Sequence, residues 1–368
     1  MRILHTIDSL GIYGAETVLL NLATEQQRRG ETPVLLSIGS PDVADKPIEI
    51  EARRRGIASV PLRMRGLNLA GGAEIMRVAR TQNIDVIHSH GYRSNILLGL
   101  LPRRLRRIPV VTTLHGWTAK SAWSKLGLYR TIDQRLLSRL DGVAVVNEQM
   151  LRLPALMRLQ PPAQAIANGV CMPAASAPIP TDALVAKIVA LRARGLTLFG
   201  VVGRLSPEKN VRGLVEALRL LNDKNLGLVI LGAGPELAAI QRAITEAGLT
   251  DRVLLGGYVA NARDYLALLD VLVIPSLTEG LPMILLEAMA AKLPVVATRV
   301  GDIPAVLGEL GVLVEPGDSR KLAAAIGATV GRLAQMRALA AQAADRVATR
   351  YSATAMADSY SLLYTRVS

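Results

Sequence analysis

The sequence predicts an α/β protein made of two doubly wound domains, and three observations support this fold class. The length of 368 residues suits two domains of about 150 residues or more each. Short β-branched runs alternate with helical stretches almost from end to end, which is the pattern of repeated βαβ units around a parallel sheet. A stretch of proline and small residues at 169–180 separates two such series. We therefore expect domains at residues 1–170 and 171–351 that face each other across a cleft.

The individual elements follow from local runs of β-branched residues and from helical spacing. In the first half, strands are predicted at 2–7, 34–38, 86–89, 110–114 and 143–146, with helices at 16–29 and 73–82. In the second half, strands are predicted at 198–202, 226–231, 253–255, 271–274, 295–297 and 312–314. Near the C-terminus, Met356, Tyr360, Leu363 and Tyr364 recur every three or four residues, so a helix at about 352–368 is expected to pack back onto the first domain.

Composition excludes several classes of protein. The single cysteine, Cys171, cannot form an internal disulfide or a cysteine-rich metal site, and the four histidines add little metal-binding capacity. No run reaches the roughly 18 apolar residues that a membrane helix needs. Asp8 lies where a signal peptide would need its apolar centre. We therefore expect a cytoplasmic protein without a cofactor or metal.

The net charge of +13 is uneven, because residues 1–180 carry 23 Lys and Arg against 13 Asp and Glu. Three basic clusters account for most of this excess. They run from Arg53 to Arg65, from Arg93 to Arg107 and from Trp117 to Arg130. Mixed apolar and cationic side chains suit an anionic membrane surface, so peripheral binding to the inner face of the cell membrane is one expectation, and a merely solvated basic face is the other. A nucleic-acid binder is a further alternative, although aromatic residues are few and no reading motif is present.

The most informative segment follows the buried run 271–274. Pro282 can occupy the first position of a helix, whose free amides and positive dipole end would seat an anion or a polar ligand. Glu279 precedes this turn. Glu287 lies among apolar residues of the predicted helix, where a carboxylate is costly unless it binds something, or unless it reaches water at the edge of the core.

A second cluster of charged residues follows the strand at 198–202. The chain turns at Gly203 and presents Arg204 and Lys209 before the next helix, and two such cations can clamp a diphosphate without a metal. Two solvated surface cations are the alternative interpretation.

The first domain offers two weaker signals. The loop from Gly11 to Gly14 joins the first strand to a helix and allows backbone amides to approach a phosphate, although its spacing is not that of a dinucleotide-binding loop. His115 lies at the carboxyl end of a predicted strand, where it either faces the cleft or has a structural role.

Together these segments resemble the retaining nucleotide-sugar glycosyltransferases of family 4, also called group 1, which have the GT-B fold. The resemblance covers nearly the whole chain. Its most specific part is the pair of glutamates Glu279 and Glu287 with seven residues between them, together with the sequence Glu279-Gly280-Leu281-Pro282. The other matching segments are Gly14-Ala15-Glu16, Leu114-His115-Gly116, Asn168-Gly169-Val170, Gly203-Arg204-Leu205, Glu208-Lys209-Asn210 and Gly232-Ala233-Gly234-Pro235.

The resemblance implies a role for each matching position. Arg204 and Lys209 would hold the donor diphosphate, Glu279 would lie beside the donor sugar, and Glu287 would bind the ribose. The catalytic set would be Arg204, Lys209, Glu279 and His115. Further donor contacts would come from Gly14, Gly203, Tyr258, Val259, Gly280, Leu281 and Pro282. On the acceptor side we expect Tyr13, His90 and Arg93.

The activity implied is transfer of a hexose-type sugar, with retention of configuration, from a nucleotide sugar to a hydroxyl of a cell-envelope, polysaccharide or lipid-linked glycan acceptor. UDP is favoured over GDP, and no Asp-x-Asp motif is present to hold a metal. The alternative on the same architecture is a non-hydrolysing sugar-nucleotide epimerase. One departure from the family concerns Asp302, which lies in a segment where many relatives carry Gly-Gly-x-Pro-Glu.

Overall fold

The chain forms two separate α/β units. The computed structural model describes residues 1–9, 11–68, 70–115, 125–160, 162–173 and 182–368. One unit comprises Met1–Cys171 with Ser352–Ser368, and the other comprises Met172–Tyr351. Of the predicted boundary segment, residues 174–180 lie outside the described residues. Each unit is built on a parallel sheet, so the doubly wound fold class is confirmed.

Over the described residues, the sheet of the first unit has seven parallel strands in the order β3-β2-β1-β4-β5-β6-β7. This order places the first and fourth strands side by side, which is the doubly wound arrangement that opens a crevice at their carboxyl ends. The strands are β1 (Arg2–Asp8), β2 (Thr32–Gly39), β3 (Ala58–Arg63), β4 (Val86–Ser89), β5 (Val110–Leu114), β6 (Gly142–Val145) and β7 (Gln164–Ala165).

Helices connect these strands and cover both faces of the sheet. They are α1 (Gly14–Arg28), α2 (Pro47–Arg54), α3 (Ala70–Thr81), α4 (Tyr92–Gly99), α5 (Arg103–Arg106), α6 (Lys125–Leu136), α7 (Glu148–Leu151) and α8 (Pro154–Met157). On one face, Leu4 and Ile87 belong to a buried core with residues of α3 and α4. On the other face, Ile7 and Leu35 pack with Leu19 of α1.

The C-terminal helix of the chain, α16 (Ala353–Val367), belongs to the first unit. Its amide at Ala353 donates to the Val170 carbonyl at 2.8 Å, and Arg29 forms an ion pair with Asp358 at 2.8 Å. The helix buries the apolar series on which its sequence-based prediction rested, namely Met356, Tyr360, Leu363 and Tyr364.

The second unit carries the other sheet, whose described strands run in the order β10-β9-β8-β11-β12-β13. Its strands are β8 (Thr197–Val202), β9 (Leu226–Leu231), β10 (Val253–Gly257), β11 (Val271–Ile274), β12 (Val295–Thr298) and β13 (Val312–Val314). Its helices are α9 (Ala183–Ala193), α10 (Val211–Leu221), α11 (Leu237–Glu246), α12 (Met283–Ala290), α13 (Ile303–Leu307), α14 (Ser319–Gly331) and α15 (Leu333–Arg350). Across the described ranges, every helix is too short or too polar to span a bilayer.

Two strands were missed by the sequence-based prediction, and both lie at the edges of the first sheet. β3 contains Pro61, which cannot donate a hydrogen bond and is tolerated in a strand with a free edge. β7 is only two residues long. Neither strand therefore has the uninterrupted β-branched run that marks a central strand.

Candidate functional site

The predicted donor-binding residues of the second unit lie on loops at the centre of its sheet. β8 and β11 are neighbours at the point where the strand order reverses. In open α/β sheets, ligands bind at this switch point beyond the carboxyl ends of the strands. The loops that leave β8 and β11 line one pocket, which we call the β8–β11 pocket. Its polar lining includes Gly203, Arg204, Lys209, Ser276 and Glu279.

Lys209 and Glu279 form a tight ion pair within this pocket. The Lys209 ammonium lies 2.6 Å from Glu279 Oε1, and the Ser276 hydroxyl donates to the same oxygen at 2.6 Å. The Glu279 side chain is 9% exposed and that of Lys209 is 25% exposed. Two donors therefore hold the carboxylate in one orientation, and its charge is balanced in the free protein.

Arg204 is the pocket cation without such a partner. Its side chain is exposed, and within the described part of the chain it forms no hydrogen bond or ion pair. A guanidinium is always charged, so Arg204 offers an exposed positive charge to this pocket, with the Glu208 carboxylate near enough to interact with it electrostatically. The pocket is thus suited to an anion that approaches Arg204 first.

Sequence reasoning missed the contribution of Ser276 and Glu208. The Ser206 hydroxyl donates to Glu208 at 2.6 Å, and this bond is the main cause that lowers the pKa of the Glu208 carboxyl. A backbone hydrogen bond and the charges of Arg204 and Lys209 lower this pKa further. The Glu208 carbonyl also accepts from the Leu277 amide at 2.7 Å, which ties the two loops together. The sequence holds one indication for Ser276, which is a polar residue two positions after the predicted strand 271–274 and therefore close to the carboxyl edge of the sheet.

Glycines allow the loops after β8 and β9 to touch through their backbones. At Gly232 (φ +154°), a Cβ would lie 1.8 Å from the Gly203 carbonyl oxygen. The Gly203 amide donates to Leu231 at 3.0 Å, and the Leu205 amide donates to Ala233 at 2.9 Å. This close backbone packing fixes the turn that carries Arg204, and no side chain fits at position 232.

The segment in which the sequence departs from the family packs directly against the glutamate loop. The Asp302 amide donates to the Gly280 carbonyl at 3.0 Å. At Gly301 (φ +54°), a Cβ would lie 2.3 Å from the Glu279 carbonyl oxygen. The loop after β12 therefore supports the backbone of Glu279 and Gly280, and the Asp302 side chain is buried there.

The remaining predicted donor residues lie on the same unit. The helix after β11 begins at Met283, so the prediction that Pro282 takes the first helical position is wrong by one residue, because Pro282 keeps an extended backbone and caps the helix. Leu281 precedes it in the loop. Glu287 is half-buried on α12. Tyr258, which is 45% exposed, and Val259 directly follow β10.

The predicted residues of the first unit lie near the carboxyl ends of β1, β4 and β5. Gly14 opens α1, and Tyr13, which is 48% exposed, caps it. His90 follows β4 and lies 3.1 Å from His115, which follows β5. Gly116 lies outside the described residues. Arg93 on α4 is held by Asp8 at 2.9 Å and by the Met64 carbonyl at 3.1 Å, so its guanidinium is already occupied.

Glu16 shows a local role that the sequence did not reveal. Its carboxylate accepts from the Tyr13 amide at 3.0 Å and so caps the first turn of α1. Burial raises the pKa of Glu16, against the lowering effect of its backbone hydrogen bonds. The loop before α1 is therefore held by this glutamate as well as by its glycines.

Most arginines of the predicted basic clusters are paired within the protein. Their carboxylate partners are Asp45 for Arg53, Glu51 for Arg54 and Arg55, Glu49 for Arg63, Asp8 for Arg93, and Asp141 for Arg103 and Arg106. Arg106 is also buried, at 1% exposure. Of the third cluster, residues 117–124 and the side chains of Lys125 and Leu126 lie outside the described part. The pattern of basic residues therefore overstates the charge available to a partner.

Comparison with known proteins identifies the family. A sequence model described as Glycosyltransferase Family 4 matches residues 12–171, and one described as Glycosyl transferases group 1 matches residues 197–331. The two matches cover most of both units. The chain belongs to the family 4 glycosyltransferases. The resemblance seen in the sequence motifs is thereby confirmed.

Several characterised proteins are similar to this glycosyltransferase. The UDP-Gal:alpha-D-GlcNAc-diphosphoundecaprenol alpha-1,3-galactosyltransferase of Escherichia coli is 30% identical over 262 residues, which are 66% of each chain. The N-acetyl-alpha-D-glucosaminyl L-malate synthase of Bacillus anthracis is 27% identical over 262 residues, covering 70% of this chain and 68% of the relative. The crystal structure of Anabaena HepE in complex with UDP and glucose superposes with a TM-score of 0.81 at 20% identity and covers 99% of both chains. The last likeness supports the GT-B fold.

Proposed function

We propose that this glycosyltransferase moves a hexose-type sugar from a UDP-sugar to a hydroxyl of a cell-envelope, polysaccharide or lipid-linked glycan acceptor, with retention of configuration and without a metal. The observation that carries the proposal is the β8–β11 pocket, which is lined both by the Lys209–Glu279 ion pair and by Arg204, whose side chain has no partner among the described residues. This set offers two cations to a diphosphate and one oriented carboxylate to a sugar. The family assignment favours transfer over the epimerase and nucleic-acid alternatives.

The choice of donor rests on charge and on relatives. A sugar diphosphate presents an anion to Arg204 and Lys209 and presents hydroxyls to Glu279. The E. coli relative is named for a UDP-galactose donor and a diphosphoundecaprenol acceptor. Tyr258 and Val259 are proposed to hold the nucleobase, Glu287 the ribose, and the backbone from Gly280 to Pro282 the sugar or phosphate.

The proposed reaction breaks the bond between the anomeric carbon and the β-phosphate oxygen. A new bond forms from the same face between that carbon and the acceptor oxygen, and the acceptor proton passes to the departing phosphate. Arg204 and Lys209 stabilise the negative charge that develops on the leaving group. Because these two fixed cations can provide this stabilisation, and because the sequence lacks an Asp-x-Asp motif, we expect turnover to continue in EDTA. Loss of activity in EDTA with recovery on adding Mn²⁺ would contradict metal independence.

We also propose roles for residues of the first unit. Gly14 would approach the donor phosphate, and His115 would contact the transferred sugar. Tyr13 remains a candidate for the acceptor side, whereas His90 can take part only if it exchanges its present contacts with His5 and His115. Arg93 can take part only if it exchanges its present contacts with Asp8 and the Met64 carbonyl.

Binding and turnover measurements test the proposal together. The full-length protein is screened by thermal shift with UDP, GDP, ADP and their sugars, since a ligand that binds only the folded state raises the melting temperature. We expect UDP-sugars to give the largest shift and Lys209→Ala to abolish it. Lys224→Ala, which removes an exposed lysine of the same unit, is the matched control. A shift that Lys209→Ala leaves intact would contradict the assignment of the pocket.

Turnover separates transfer from epimerisation. Incubation with the preferred nucleotide sugar and a polyprenyl-diphosphate-linked sugar should give a new glycoside, whose anomeric configuration NMR shows to match that of the donor. Formation of an epimeric nucleotide sugar without acceptor would instead support the epimerase. An inverted glycoside would contradict retention.

We further propose that the first unit binds anionic membranes through the segment 100–107. Leu105 is 56% exposed and Leu100 is 42% exposed. Arg104 and Arg107 flank Leu105, are exposed, and form no ion pair within the described ranges. An exposed leucine between two such arginines, here Leu105, can insert its apolar side chain while the cations attract anionic headgroups, each contributing about 1 kcal/mol.

Vesicle flotation tests the membrane proposal. The double variant Arg104→Glu/Arg107→Glu should bind vesicles that contain anionic lipid at least about thirtyfold more weakly than the wild type, from about 1 kcal/mol for each lost charge. The control Lys187→Glu/Lys224→Glu makes the same change in net charge on the second unit and should bind like the wild type. Equal loss in both variants, or no salt-sensitive binding by the wild type, would overturn the proposal.

A further inference from the structure

All four histidines of the chain lie in one cluster in the first unit. His5 on β1 and His88 on β4 are register partners, so their side chains emerge on the same face of the sheet. His90 and His115 continue this face beyond β4 and β5. The ring centroids of His88 and His90 are 4.0 Å apart, and those of His90 and His115 are 5.4 Å apart. A row of imidazoles therefore runs from the buried interior to the carboxyl edge of the sheet.

Three of these histidines form a continuous hydrogen-bonded chain that begins at Gln26 of α1. Gln26 Oε1 lies 2.8 Å from His5 Nε2, His5 Nδ1 lies 3.0 Å from His90 Nε2, and His90 Nδ1 lies 3.1 Å from His115 Nε2. Gln26 and His5 are 1% and 0% exposed, so the inner end of the chain is shielded from water.

The charge state of the rings is set by their burial. Burial lowers the pKa of His5 and of His115 to about 4, and it lowers the pKa of His88 and His90 well below the usual value. At neutral pH each ring is therefore uncharged and carries one N–H, so each can donate from only one nitrogen.

The direction of the hydrogen bonds follows from this count. An amide oxygen only accepts, so His5 donates from Nε2 and accepts at Nδ1. His90 must then donate from Nε2 and accept at Nδ1, and His115 must donate from Nε2. The Nδ1 of His115 is left with a lone pair, and among the described residues this buried atom has no hydrogen-bond partner.

We propose that Gln26, His5 and His90 act as a relay of positioning residues that holds His115 in its Nε2–H tautomer, so that His115 Nδ1 accepts a hydrogen bond from a hydroxyl of the bound sugar. This inference rests on the proposed function, since it takes His115 as the residue that contacts the donor sugar. The relay determines which group donates in that contact, namely the sugar hydroxyl, with His115 Nδ1 as the acceptor. A hydroxyl can donate to Nδ1, whereas a phosphate oxygen, which only accepts, cannot.

The same histidines could be considered as a metal site, because one nitrogen of each of His5, His88 and His90 lies within 4.8 Å of the others. The lone pairs are already used, however. His5 and His90 each accept from the next histidine, and His88 is bonded on one side to the Tyr364 hydroxyl and on the other to Thr113, both at 2.7 Å. A divalent ion would have to break these bonds in the core, so we favour the relay.

The tautomers can be observed directly. A long-range proton–nitrogen correlation spectrum of the full-length protein, labelled with ¹⁵N-histidine, contains signals from only four rings. At pH 7 to 8 we expect His5, His90 and His115 to be neutral and protonated on Nε2, with assignments from single His→Gln variants. Protonation of His115 on Nδ1 would overturn the proposal. Because this spectrum needs no substrate, it decides the relay even if the proposed transfer reaction fails.

Activity tests whether the relay acts through His115. Gln26→Leu removes the acceptor for His5, so it should lower kcat about tenfold and raise the fraction of His115 that is protonated on Nδ1 in the same spectrum. In a His115→Ala background, Gln26→Leu should cost nothing further. Thr113→Val also removes a buried hydrogen bond but lies outside the relay, and it should lower stability without lowering kcat.

Three results would contradict the relay. One is an equal loss from Gln26→Leu in the wild-type and His115→Ala backgrounds, which would indicate a purely structural role. Another is a His115 tautomer in Gln26→Leu that is the same as in the wild type. The third is a rise in the melting temperature of the wild type with stoichiometric Zn²⁺ that His5→Gln abolishes, which would support the metal site instead.

Discussion

Mild acid should destabilise the first unit selectively. His5 is fully buried, and its pKa is lowered to about 4 from the value of 6.5 expected in the unfolded chain. Below pH 6.5 His5 is protonated in the unfolded state but stays neutral in the folded state. The free energy of unfolding therefore decreases as the pH is lowered, until the pH reaches the pKa of the folded state. Between pH 7 and pH 5, this loss is about 2 kcal/mol for His5 alone, from about 1.4 kcal/mol per pH unit below 6.5. His88, His90 and His115 act in the same direction.

Carboxylates affect other parts of the pH range or oppose this effect. Burial raises the pKa of Glu51, but hydrogen bonds from Arg54 and Arg55 together outweigh it and lower this pKa to about 2. Arg28 is the main cause of a pKa of about 2 for Glu25. These groups stabilise the folded state above pH 4.5, and their contribution is lost only at lower pH. Burial raises the pKa of Glu16 and Glu31, so these two stabilise the folded state as the pH falls and reduce the net effect of the histidines.

The second unit provides an internal control, because it contains no histidine. Urea unfolding is measured at pH 7, 6 and 5, with tryptophan fluorescence for the first unit, since both tryptophans fall within its bounds. Pulsed hydrogen exchange at one fixed pH, after equilibration at each test pH, reports both units. His5→Asn should flatten the pH dependence of the first unit by about 1.4 kcal/mol per pH unit below 6.5. Equal sensitivity of the two units, or an unchanged slope in His5→Asn, would refute the reasoning.

Three substitutions in the second unit give further expected outcomes. Gly301→Ala should lower the free energy of unfolding by about 1 to 3 kcal/mol and reduce turnover, because the position needs a left-handed backbone and has no room for a Cβ. Gly331→Ala, where a Cβ has no neighbour within 4 Å, is the control in thermal melts. Equal melting temperatures for the two variants would contradict the predicted clash at Gly301. Ser276→Ala should lower kcat about tenfold with little change in donor KM, because it removes one of the two hydrogen-bond donors that orient Glu279. A change in KM alone in steady-state kinetics would argue against a positioning role of Ser276. Glu279→Gln should strengthen binding of UDP relative to a UDP-sugar by about tenfold, because it frees the ammonium of Lys209. If calorimetry shows that both ligands bind more weakly by the same factor, Glu279 does not compete with the phosphate for Lys209.

The central strands could be predicted from sequence because burial on both faces leaves continuous β-branched runs. The run 271–274, for example, coincides with β11. The edge strands could not be predicted, since β3 contains Pro61 and β7 is too short to give a pattern. Position at the edge of a sheet is a tertiary property, and the local sequence of an edge strand carries little of the signal.

The candidate site was predictable where a motif names its residues and unpredictable where a contact crosses the sheet. Arg204, Lys209 and Glu279 lie together because β8 and β11 are neighbours, and the sequence motifs indicated this. The pairing of Lys209 with Glu279 spans 70 residues and has no local signature. The same holds for His5 and His90, which are 85 residues apart and were not linked to each other by sequence reasoning.

The state of Lys209 in the free protein bears on how the pocket selects its ligand. While Lys209 is paired with Glu279, Arg204 is the lining cation of this pocket that has no partner among the described residues, so we expect a diphosphate to contact Arg204 first. Lys209 can bind the phosphate only by breaking its ion pair with the Glu279 carboxylate, which is 9% exposed. The Ser276 hydroxyl alone does not balance the charge of this carboxylate. A nucleoside diphosphate without a sugar has no sugar hydroxyl that could replace Lys209 as a hydrogen-bond donor to Glu279, whereas the hydroxyls of a donor sugar can donate to this carboxylate. In the proposed donor site we therefore expect the ion pair to link recognition of the phosphate to recognition of the sugar, and to disfavour binding of the product nucleotide relative to the intact donor.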